Sequence, residues 1–219
     1  MLYLLHFGKK KVLEKKESIQ GMGKIQEISD FVRESALKAL RERLIQIGLT
    51  PTSISKTQTL FSGVIGAVSI VNRNIDLVKL ERKISGGYSI DGEWSNAKST
   101  YRCSYIIHAK VDGLEEKLKA HSKLPRKGII NRHYSKEPKW EGKELAEALN
   151  SDALTLLPNV QVLPNGSCQC VVMREKRYWD SWFSAFPTVD TFETFDRIAM
   201  HVRRIVRYAS NTDQRVETE

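Results

Sequence analysis

The stretch Arg102-Cys-Ser-Tyr-Ile-Ile-His-Ala-Lys-Val111 decides the fold class. Successive side chains of a strand leave by opposite faces. Cys103, Tyr105, Ile107, Ala109 and Val111 therefore share one side, and Arg102, Ser104, Ile106, His108 and Lys110 the other. The first set suits a core and the second an open face, the pattern of an antiparallel sheet covered on one side. Upstream, from Leu60, short runs rich in Val, Ile and Tyr are separated by Asn72-Arg-Asn74, Ser85-Gly-Gly87 and Asp91-Gly92. Those turn-forming clusters make the region an antiparallel meander. Downstream, Val160 to Met173 has the form of a hairpin around Asn165-Gly166, with Cys168 and Cys170 on one face of its second strand.

Helices flank this sheet on both sides along the chain. Between Lys24 and Ile47, Ile25, Ile28, Val32, Ala36, Ala39, Leu40, Leu44 and Ile47 recur at three- and four-residue steps, and Gly48 stands where a helix stops. Asp190 and Glu193 have capping-box spacing before the stripe Phe192, Phe195, Ile198, Ala199, Val202, Ile205 and Val206, which predicts a helix over 190–209. Asp112 and Glu115 have the same spacing before a short helix through Leu114 and Leu118, and another short helix is expected over 143–150. The expected class is α+β: an antiparallel sheet, meander plus hairpin, covered by an N-terminal and a long C-terminal amphipathic helix.

One domain is expected over 24–209, with 122–143 as a basic surface connection. Residues 1–23 read as a basic arm, with Met22 as an alternative start, and 210–219 as a disordered tail beyond the apolar stripe. The chain has 219 residues, 41% of them hydrophobic and 28% charged, which excludes wholesale disorder. No run approaches the roughly 18 apolar residues of a spanning helix. Three cysteines are too few for a disulfide scaffold, so the expected compartment is the reducing cytoplasm.

The net charge of +9 is concentrated. Residues 1–24 and 122–143 hold all of it, leaving the remainder of the chain net neutral. The second segment contributes Lys123, Arg126, Lys127, Arg132, Lys136, Lys139 and Lys143. Close to the C-terminal helix, Arg174, Lys176 and Arg177 run directly into Tyr178, Trp179, Trp182, Phe183 and Phe186. Basic side chains that track phosphates, beside rings that stack on unpaired bases, are what single-stranded nucleic acid requires. The leading expectation is therefore a module binding RNA or single-stranded nucleic acid through Lys123, Arg126, Lys127, Arg132, Lys136, Lys139, Arg174, Lys176, Arg177, Tyr178, Trp179 and Trp182. The same rings would equally serve as a hydrophobic plug between hairpin and helix.

Two alternatives stand beside it. One is a small-ligand pocket protein or enzyme with its site between the sheet and the C-terminal helix, and Arg102, His108 and Lys110 at its mouth. The other is a protein-interaction scaffold using the aromatic segment 178–186. No Gly-x-Ser-x-Gly, Walker or dinucleotide glycine motif is present, and neither Asp91 with Glu93 nor Asp190 with Glu193 reads as a general acid and base. Catalysis is accordingly not expected from any motif, though groups can converge from distant positions. The spacing of Cys168 and Cys170 is wrong for a zinc knuckle, and His6, His108, His121, His133 and His201 show no ligand spacing, so neither metal nor cofactor is expected. Gly63 and Gly66 suggest close packing rather than a ligand. Arg197, Arg203, Arg204 and Arg207 lie outside the helix stripe, where a solvated face near a helix C-terminus accounts for them.

Overall fold

The computed structural model describes residues 31–56, 63–86, 98–123, 139–152 and 159–216. The N-terminal arm with Met22, the turn at Asp91-Gly92, and Arg126, Lys127, Arg132, His133 and Lys136 lie outside these residues.

The architecture is α+β. Among the described residues, eight antiparallel strands form one open sheet: β1 (Thr50–Lys56), β2 (Gly63–Val71), β3 (Leu77–Ser85), β4 (Lys98–His108), β5 (Ala120–Lys123), β6 (Lys139–Gly142), β7 (Val160–Asn165) and β8 (Cys170–Glu175). Their order across the sheet is β1-β2-β3-β4-β8-β7-β5-β6. The meander and the hairpin are thus joined through β4 and β8, which pair from Ser104↔Arg174 to His108↔Cys170. Three strands carry no pattern that a sequence reading could use. β1 is an exposed edge holding Pro51, and β5 and β6 are four residues each, with Trp140 the one large buried side chain between them. The segment 122–143 is consequently more than a surface connection, since both of its ends are built into the sheet.

Helix α1 occupies 31–46 of the described residues and buries Ala36, Leu37, Leu40 and Leu44. Its end is a Schellman turn. The Leu49 amide donates to the Leu44 carbonyl at 3.0 Å and the Gly48 amide to that of Ile45 at 2.9 Å, with Gly48 at φ +83°. Gly66 lets this helix approach β2: a Cβ there would lie 2.6 Å from Leu37 Cδ1 and 2.4 Å from the Ser55 carbonyl oxygen.

Short helices α2 (Glu115–Leu118), α3 (Glu144–Ser151) and α4 (Trp182–Ala185) precede the long α5 (Val189–Val216). Phe192, Phe195, Ile198, Ala199 and Val202 of α5 are buried, and the Phe195 ring stacks on Tyr105 at 4.1 Å between centroids. The helix continues to Val216, through positions expected to be tail.

Four expectations of local detail are corrected. The cap of α5 is Thr188, whose Oγ1 accepts the Thr191 amide at 3.1 Å, while Glu193 pairs with Arg73 at 3.3 Å. Asp112 does not cap α2; the chain turns at Gly113, and the Asp112 carboxylate accepts the Gln169 side-chain amide at 2.7 Å instead. The hairpin is not closed by a two-residue turn. Gly166–Cys168 form a 3-10 turn with Gln169 left-handed at φ +44°, placing exposed Cys168 outside the strand that holds buried Cys170. Lastly, β4 has no open face between Tyr101 and Ile107, because Arg102, Ser104 and Ile106 are buried as well.

Candidate functional site

Strands β4 and β8 part at one end, and the parting makes a cleft. Between the pair Ser104↔Arg174 and the bridge Tyr101↔Trp179, β4 has two residues, Arg102 and Cys103, and its partner has four, Glu175 to Tyr178. Two surplus residues cannot be accommodated in a ladder, so the chain bulges out before it returns. Both ends of the bulge are anchored. The Tyr101 and Trp179 amides each donate to the other's carbonyl at 2.7 Å, and the Lys176 amide donates to Asn159 at 2.9 Å. Helix α4 and the start of α5 close the far side. The resulting cleft holds about 380 Å³, and its walls include Cys103, Tyr105, Glu175, Arg177, Trp179 and Phe186.

Its lining is mixed, apolar at Trp179, Ala185 and Phe186 and polar at Glu175, Arg177 and Thr191. The Arg177 guanidinium stands over the Trp179 ring, 3.8 Å from its centroid, in cation–π contact. Burial raises the proton affinity of Glu175, opposed by the positive charge of Arg177. Burial also pushes the Cys103 thiol far above its ordinary range, with Glu81 and Glu175 adding to the effect. The Tyr105 phenol is raised for the same reason, with the neighbouring Cys103 and Glu175 contributing. Neither group supplies an anion at neutral pH, so the cleft contains no thiolate or phenolate nucleophile.

The opposite face of the sheet is polar. Successive registers align Glu141, His121, Gln161, Arg174, Ser104 and Lys79 in one cross-strand row. Lys123 and Lys139 are paired two residues along on the same face. Glu81 sits at its centre, accepting Arg102 Nε at 3.1 Å and Ser104 Oγ at 2.6 Å, with Arg174 4.0 Å away. The Tyr178 ring stands 4.2 Å from the Arg102 guanidinium, and Lys123 pairs with Glu141 at 3.1 Å.

The structure therefore divides the aromatic segment. Strand alternation sends Tyr178 to the polar face with Arg102, and Arg177 with Trp179 into the cleft. Trp182 packs edge-on against Tyr101 at 5.9 Å, while Phe183 beside it is 64% exposed. Lys176 is exposed at the crest of the bulge. Of the three residues expected at a pocket mouth, only Arg102 borders the cleft. His108 and Lys110 are at and beyond the other end of β4, His108 about 20 Å from Arg102 at strand rise. His108 there donates its amide to Asp76 at 2.7 Å. Glu175, Ser184, Thr188 and Thr191 were not foreseen as lining residues. Only the unequal residue counts around Trp179 mark the bulge, and those need the pairing register.

Elsewhere, α5 is clipped to the rest of the molecule by charge. Buried Asp196 accepts the Asn74 amide at 2.8 Å, and Asp152 accepts His201 Nε2 at 3.0 Å and pairs with Arg197 at 2.9 Å. Hydrogen bonding to His201 and then Arg197 lowers the Asp152 pKa. Among the described residues no group of three His, Cys, Asp or Glu could hold a metal ion, and no helix is long and apolar enough to cross a membrane. Comparison with protein-family models, with curated proteins and with solved structures finds no match to this chain.

Proposed function

We propose that the chain binds a small, partly planar ligand carrying an anionic or hydrogen-bonding group in the cleft between β4, β8 and α4–α5. One observation supports this reading above others: three groups with raised proton affinity, Cys103, Tyr105 and Glu175, line a single cleft of ligand size. Trp179 and Phe186 would cover the apolar body, and Arg177 and Glu175 would meet the polar group. The chemistry favours recognition over catalysis, because both potential nucleophiles stay protonated. The test is titration with 1-anilinonaphthalene-8-sulfonate, an aromatic sulfonate of suitable shape. A saturable single site is expected, weakened by Arg177→Gln and blocked by Ser184→Trp, which fills the cleft from an exposed position. Unaltered binding by both variants would refute the reading.

A second reading, RNA or single-stranded nucleic acid, rests on the polar sheet face, where Lys79, Lys123, Lys139, Arg174 and Tyr178 share one side. It predicts that Lys123→Gln with Lys139→Gln weakens oligonucleotide binding and flattens its salt dependence by about 1.4 in log–log slope, the single-strand value for two phosphate contacts.

A further inference from the structure

A second cleft lies further along α5. Arg203, Arg204, Arg207, Tyr208 and Asn211 follow the steps of one α5 face, and with Asn74 of the β2–β3 turn they line a space of about 410 Å³. Arg203 forms its fixed wall, donating Nε to the Asn74 carbonyl and Nη2 to Asp76, each at 2.8 Å. Arg197 is accounted for by Asp152. Among the described residues, Arg204 and Arg207 have no recorded ion pair, and no carboxylate lines the cleft.

The ordinary explanation for cations on a helix does not reach these two. The helix dipole favours positive charge in the last turn, but α5 continues past Arg207 by more than two turns, to Val216. Like charges three and four residues apart repel by a few tenths of a kcal/mol per pair. Arg203 and Arg204 stand four and three residues before Arg207, and among the described residues only Arg203 of the three has a compensating carboxylate. Such a cluster is relieved by an anion with several acceptor oxygens, because each planar guanidinium presents a fork matched to two of them.

We propose that this cleft binds phosphate groups, with Arg204 and Arg207 as the two free forks and Arg203 as the preset third cation. Tyr208, 69% exposed at the rim, adds a ring beside them. A nucleotide-sized phosphate ester and the backbone of single-stranded nucleic acid offer this same chemistry. Binding here does not depend on the cleft at the β4–β8 bulge.

The experiment uses the full chain and fluorescence anisotropy of a labelled single-stranded RNA, with adenosine monophosphate and inorganic pyrophosphate as competitors. The double variant Arg204→Gln/Arg207→Gln should lose about tenfold or more in affinity, as expected for two charge-assisted contacts. Its salt slope should fall by about 1.4. Arg204→Lys/Arg207→Lys, which keeps the charge and removes the forks, should fall between it and the parent. Competition by adenosine monophosphate assigns a phosphate ester as the occupant; RNA binding without such competition assigns the polymer. Failure of every probe to bind overturns the proposal. So does an equal or greater loss in Lys123→Gln/Lys139→Gln, which would move the contact to the polar sheet face.

Discussion

Tyr105 and Arg102 are three residues apart on one strand, and both are buried, but the two faces of β4 achieve burial by opposite means. On the helix side Tyr105 lies against Phe192 and Phe195, so water is excluded by apolar area. On the far side Arg102 is enclosed by Glu81, Ser104 and Tyr178, so water is replaced by partners that meet its charge. The apolar face tolerates loss of one contact in proportion to the volume removed. The polar face does not, because taking away one partner strands the others.

The largest effect should come from the apolar face. Phe195→Ala removes the ring stacked on Tyr105 from a fully buried site, and should cost about 4 kcal/mol, the middle of the range for buried Phe. That is roughly a 10 °C fall in Tm for a chain of this size, read by thermal circular dichroism. Next comes Glu81→Gln, expected to cost about 3 kcal/mol because Arg102, 7% exposed, would keep its charge without a carboxylate. The difference between the faces is sharpened by the double variant Arg102→Met/Glu81→Leu, which should recover part of that loss but not all of it, since Ser104 and Arg174 still lose their carboxylate. A double variant as unstable as the sum of the single changes would break the comparison. It would mean that the polar face is held by packing after all.

The two faces were also unequally legible in the sequence. The helix side announces itself through Cys103, Tyr105 and Ile107 and through the stripe of α5, so class and covering helices follow from periodicity. The far side alternates correctly, but Arg102 and Ser104 suggest water until Glu81 is known to lie opposite, and that needs the β3–β4 register. Likewise, the segment 174–186 is visibly unusual in composition, yet its division between two faces depends on two surplus residues in a bulge. Residues β-paired over short edges, such as Ser122 with Trp140, are too few to make a pattern. Local order is legible where one face repeats; a site assembled by pairing is not.

At the start of α5 the same contrast can be tested on a smaller scale. Thr188→Ala should cost about 1 kcal/mol, since it removes the acceptor of the Thr191 amide. Asp190→Ala should cost only a few tenths through the helix dipole. Chemical denaturation midpoints measure both, and a larger cost at Asp190 would restore the capping box that sequence spacing suggests.

The smallest effect concerns the bulge, where a carboxyl group sits on the helix side without the partners that Glu81 has. Burial of Glu175 outweighs the opposing positive charge of Arg177, so the folded protein holds this proton more tightly than the unfolded chain. As pH rises from the ordinary carboxylate value to the raised one, the unfolded chain releases the proton first, and folding stability declines across that interval. Above it the loss is complete and constant. Glu175→Gln cannot ionise, so it should be more stable than the parent at pH 7, and this advantage should shrink as the pH is lowered towards 4. Urea midpoints at the two pH values give the comparison directly. A variant less stable than the parent at pH 7 would show instead that Arg177 compensates the carboxylate in full, making the bulge electrostatically a second instance of the polar face.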